Sequence, residues 1–137
     1  MAVAKPPITA SLTWQGDLSF RAETPRTAIT IDSDSTKGPS PPEAVAIALA
    51  GCMSIDLADI VKKGRHPLSS LVSNITVHRR DEPPHYFTSV TLHFIIGGNV
   101  PDHAIQRAID LSRDKYCSVW HSLRPDIEFH TTFEVRA

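Results

Sequence analysis

The most restrictive feature of this chain is a helix with almost no polar face. From Ala44 through Leu57 the run Ala-Val-Ala-Ile-Ala-Leu-Ala-Gly-Cys-Met-Ser-Ile-Asp-Leu offers only Ser54 and Asp56 to water. Its boundaries carry helix punctuation. Ser40 stands where an N-cap is needed, and Pro41 and Pro42 are tolerated in the first turn. Lys62 and Lys63 suit the C-terminal end of the dipole, Gly64 suits the residue after the last turn, and Pro67 forbids continuation. The pattern predicts a helix of about 23 residues, about 35 Å long. A helix apolar on all sides must be buried, so the rest of the chain has to wrap around it.

The flanking segments read as strands. Residues 8–22 alternate, with Ile8, Ala10, Leu12 and Trp14 on one face, a Gln15-Gly16-Asp17 turn, and Leu18, Phe20 and Ala22 after it. This predicts a β-hairpin, followed by a third strand at 27–32 and a Ser/Pro/Gly-rich loop to Pro41. Beyond the helix, 71–79 directs Leu71, Ile75 and Val77 inward. In 86–96, Val90, Leu92, Phe94 and Ile96 share a face. A second helix is expected from near Pro101, capped by Asn99, with Ile105, Ala108, Ile109 and Ser112 on its inner stripe. It runs to about Tyr116. A last strand at 127–135 alternates Ile127, Phe129, Thr131, Phe133 and Val135 with polar residues. The order βββ-α-ββ-α-β lacks regular βαβ alternation, which predicts an α+β fold with antiparallel sheets. The 137 residues are expected to form one domain spanning 1–137.

Charge excludes some functions. With 14 basic and 15 acidic residues there is no basic excess for a nucleic-acid partner. The longest apolar stretch, Ala44–Met53, is about half of what a membrane span needs. The N-terminal Met-Ala-Val-Ala-Lys-Pro-Pro lacks a signal-peptide pattern, so no membrane partner and a cytoplasmic location are expected. In that compartment two cysteines are read as redox, metal-binding or core residues rather than a structural staple.

Cys52 lies mid-helix among Ala48, Ala50 and Gly51, small residues that let another segment approach closely. A cysteine there is either a small hydrophobe or a reactive thiol. Asp56, one turn on, disfavours a thiolate, so an activated Cys52 needs a cation from elsewhere. Cys117 follows the second helix and is open to the same two readings. The seven histidines are scattered, and only His121 stands at ligand-like spacing from Cys117, so neither a metal nor a cofactor is expected. No phosphate loop, dinucleotide fingerprint or nucleophile elbow is present.

Three segments taken in order are more specific. Gly38-Pro39-Ser40-Pro41-Pro42-Glu43, Ala48-Leu49-Ala50-Gly51-Cys52 and Asp59-Ile60-Val61-Lys62-Lys63 together resemble the central helix of the OsmC/Ohr family. Tyr116-Cys117-Ser118-Val119 resembles that family's second-cysteine segment. Ser118 after Cys117, and Glu43 nine residues before Cys52, place the pattern nearer the YhfA-like branch than Ohr. The resemblance implies an intertwined homodimer with the long helices packed together. It further implies reduction of small organic hydroperoxides, with Cys52 as the peroxidatic thiol and Cys117 as the resolving one. Glu43 and an arginine from the N-terminal strands, Arg21 or Arg26, assist, and a dihydrolipoyl-type dithiol re-reduces the pair. On a straight helix nine residues turn about 180° and rise about 13–14 Å, so Glu43 and Cys52 of one chain are not expected to share a site. A first-turn acid complementing the helix dipole is the other reading of Glu43.

Two further functions fit the same pattern. One is a non-catalytic dimer that holds a small apolar or acyl ligand in its interface cleft, with the cysteines as lining. The other is a hotdog-like thioesterase with Asp56 as its catalytic group.

Overall fold

The computed structural model describes residues 3–136. They form two compact units, the first reaching to Val45 and the second beginning at Ala46.

In the first unit the alternating N-terminal residues form β1 (Ser11–Trp14), β2 (Ser19–Glu23) and β3 (Ala28–Asp32), paired antiparallel in that order. The expected turn is present: Gly16 and Asp17 both take positive φ, and Trp14 Nε1 donates to the Asp17 carbonyl at 2.8 Å. The hairpin is shorter than the alternation suggests. Ser11 is already opposite Glu23, and the β2–β3 turn with Pro25 follows, so residues 8–10 have no ladder to join. The register places Leu12, Trp14, Phe20 and Ile29 on one face of the sheet. All four are exposed, Trp14 by 64%.

The loop after β3 is built on Asp32. Its carboxylate accepts from the Asp34 and Lys37 amides and the Thr36 hydroxyl. These bonds, the Lys37 amide foremost, hold its pKa down at about 2. Gly38 is required here, because a Cβ would lie 2.1 Å from the Thr30 carbonyl oxygen. Ser40 then caps α1 (Pro41–Lys63): its hydroxyl accepts from the Glu43 amide at 3.3 Å, while Glu43 Oε1 accepts from the Ser40 amide at 2.9 Å. This is a capping box.

The second unit contains the remainder of α1 and a sheet of β4 (Leu68–Arg79), β5 (Phe87–Gly98) and β6 (Glu128–Arg136), ordered β4-β5-β6. Between β5 and β6 lie α2 (Asp102–Leu111), a π-turn (Ser112–Tyr116) and the short α3 (Ser118–His121). One expectation is corrected. β4 and β5 are antiparallel, but β5 and β6 run parallel. The long helical connection carries the chain back to its starting end, which a hairpin cannot do. Asn99 is not the cap of α2 either. Pro101 occupies that position and makes no side-chain cap bond.

The core lies between α1, α2 and the sheet. Leu49, Met53, Leu57 and Val61, spaced four apart on α1, meet Val90, Leu92, Phe94 and Ile96 of β5 and Ile105, Ala108 and Ile109 of α2. α1 is thus a core element along one stripe. By length and composition it could cross a bilayer, with a mean hydropathy of 1.9, but that stripe is buried against protein. Its other flank is open within the chain: Ile47 is 59% and Ile55 70% exposed, and a Cβ on Gly51 would meet nothing.

Candidate active site

Helix periodicity leaves Cys52 beside the buried Leu49–Met53 stripe, half-buried and packed against the core. Ser54, two residues on, shares a 2.6 Å hydrogen bond with Ser73 of β4, which fixes this turn of the helix against the sheet. Cys117 arrives from the other side of the core. α2 ends in a wide turn in which the Cys117 amide donates to the Ser112 carbonyl at 2.7 Å. Cys117 then becomes the N-cap of α3, its Sγ accepting from the Trp120 amide at 3.4 Å. Trp120 packs on Phe129 of β6 with ring centroids 4.4 Å apart, which anchors the turn.

The two thiols are free, and Cys52 lies close enough to act on Cys117. Cys117 is fully buried. That burial pushes its pKa up to about 12, against the opposing pull of the Trp120 amide. Cys52 is near enough to push the same way, through a side-chain hydrogen bond and through charge. Cys117 is therefore a protonated thiol at neutral pH. Asp56, one turn beyond Cys52, accepts a 2.7 Å hydrogen bond from the buried Ser112 hydroxyl. A cavity of about 690 Å³ opens beside it, rimmed by Asp59, Lys63, Arg107 and Tyr116.

The other two expected residues belong to the first unit. Glu43 accepts from the Ser35 hydroxyl and the Ser40 amide, and both bonds lower its pKa, the one from Ser35 more. Arg21 Nε donates to Glu23 at 3.0 Å. Ser112 was legible only as a polar residue on the otherwise apolar inner stripe of α2. That misfit was the available signal of a role beyond packing.

Residues 33–132 match the family model described as OsmC-like protein. The chain belongs to the OsmC family. Among its relatives is protein YhfA of Escherichia coli K12, 39% identical over 131 residues that cover 93% of this chain and 98% of YhfA. The OsmC fold recurs in solved structures. An OsmC-like protein from Mycoplasma pneumoniae superposes with a TM-score of 0.80 at 21% identity, covering 98% of this chain and 99% of that one. An organic hydroperoxide resistance protein from Legionella pneumophila superposes with a TM-score of 0.71 at 15% identity, covering 97% and 100%. At such identities these two structures bear on the fold alone. OsmC membership replaces the hotdog reading, and Asp56, its expected catalytic group, is engaged by Ser112.

Proposed function

We propose that this OsmC family member is a thiol peroxidase that reduces small organic hydroperoxides as a homodimer. The observation that carries the reading is the pairing of two free thiols, one of them held protonated. Two cysteines 65 residues apart in sequence meet at the core, and the protonated one cannot be the attacking thiolate at neutral pH. That leaves Cys52 to attack. Its sulfur takes the terminal peroxide oxygen, the O–O bond breaks, the alkoxide leaves as an alcohol after taking a proton, and Cys52 becomes a sulfenic acid. The Cys117 sulfur then bonds to the Cys52 sulfur and water leaves. A dithiol of the dihydrolipoyl type returns two electrons by thiol–disulfide exchange.

The assisting residues of this reading, implied by the resemblance, are Arg21 and Glu43, whose partners within the chain are Glu23 for Arg21 and Ser35 and Ser40 for Glu43. The homodimer is supported by uncovered apolar surface: the Leu12–Trp14–Phe20–Ile29 sheet face in the first unit and the Ile47–Ile55 flank of α1. The cavity beside Asp56 has a charged rim, which suits an acyl ligand poorly and disfavours the non-catalytic alternative there.

Turnover of cumene hydroperoxide with a dithiol tests the reading. Cys52→Ser should abolish it. Cys117→Ser should allow one oxidation and then accumulate sulfenic or sulfinic acid on Cys52. Retained turnover in Cys52→Ser would overturn the assignment.

A further inference from the structure

Ser112 makes two bonds that serve different cysteines. Its hydroxyl donates to Asp56 Oδ2 at 2.7 Å, one turn along α1 from Cys52. Its carbonyl accepts the Cys117 amide at 2.7 Å and closes the π-turn. The Ser112 side chain is fully buried, so its hydroxyl has no competing water to donate to. A single residue therefore ties the end of α2 to the helix that carries one thiol and fixes the backbone that carries the other.

Asp56 is otherwise a poor choice at this place. A carboxylate on an otherwise apolar stretch of helix costs desolvation, and an alanine or leucine there would cost none. The π-turn is similarly uneconomical as pure structure: its widened ring is rare and concentrates at functional sites. Both features make sense together if sulfur-to-sulfur geometry is what they serve. A disulfide tolerates only a narrow range of Cα separations and dihedral angles, and α2 could slide along the buried apolar stripe of α1 without a polar anchor.

We propose that Asp56 and Ser112 are positioning residues that hold Cys117 in bonding register with Cys52. This rests on the reading of the two cysteines as attacking and resolving thiols. Neither residue touches the peroxide. Their bond selects the α2-to-α1 register in which the second sulfur meets the first, so its loss weakens disulfide closure and leaves the first oxidation of Cys52 intact.

The test reads the disulfide and not turnover. Purified chain is equilibrated in reduced and oxidised glutathione buffers, and the Cys52–Cys117 bond is quantified by mass mapping. Ser112→Ala and Asp56→Leu should shift the equilibrium toward the dithiol by about tenfold or more, since this equilibrium reads the effective concentration of one thiol at the other and lost register lowers it. Asp56→Asn keeps an acceptor for the Ser112 hydroxyl and should stay within about twofold of wild type. That rescue separates the bond from the charge, and thermal melts of the reduced variants separate positioning from general destabilisation. Wild-type disulfide closure in Ser112→Ala and Asp56→Leu overturns the proposal, as does equal damage in Asp56→Asn and Asp56→Leu. A wild type that never forms the bond removes the proposal together with the resolving role of Cys117. A wild type that forms it yet turns over no peroxide sinks the peroxidase alone and leaves the positioning intact.

Discussion

At the scale of the residue, burial separates two chemically identical thiols, one enclosed and one half-buried. Cys117 is fully buried, and its pKa of about 12 lies well above the ordinary value of 9.0. Folding then depends on pH in a definite direction. Below about pH 9 the folded and unfolded chains both keep this proton. From there to about pH 12 the unfolded chain has lost it while the folded chain holds it, so the unfolded state binds fewer protons and stability falls as pH rises. Urea midpoints of the reduced protein should drop between about pH 9 and about pH 12, and the drop should be smaller in Cys117→Ser. An equal drop in both would show that this thiol is not the buried proton reservoir. Glu43 makes the complementary point. Its carboxylate serves a capping box, so its residue type was legible as helix-start chemistry, while the bond from Ser35 was not, because it crosses a loop.

At the scale of the element, α1 has two flanks with opposite behaviour. Met53 is wholly enclosed, and Met53→Ala should destabilise the chain by about 2–5 kcal/mol at every protein concentration. Ile55, two residues on, is 70% exposed within the chain. Ile55→Ala should change the stability of a single chain by no more than about 0.5 kcal/mol. Any larger loss should depend on protein concentration, as expected if a second copy covers this flank. Denaturant titrations at two concentrations a hundredfold apart distinguish the two sites. Ser40→Ala, which removes the cap of α1, should cost about 1 kcal/mol.

At the scale of the whole molecule, light scattering at low micromolar concentration should give twice the 15.1 kDa chain mass, and Ile55→Glu should shift it to the monomer without unfolding. A wild-type monomer would remove the dimer from the proposed function. Strand and helix types and the span of α1 were readable from the sequence because they rest on local periodicity and caps, and those depend on near neighbours only; which stripe of the all-round apolar α1 is buried, Leu49–Val61, was not. The inner stripe Ile105–Ala108–Ile109–Ser112 was readable for the same reason. The parallel pairing of β5 with β6, the meeting of Cys52 with Cys117 and the Ser112–Asp56 bond were decided only by the tertiary structure. Each joins residues more than 30 positions apart. Their encounter is set by how the helical connection returns the chain and by which apolar faces pack, and no local pattern encodes that choice.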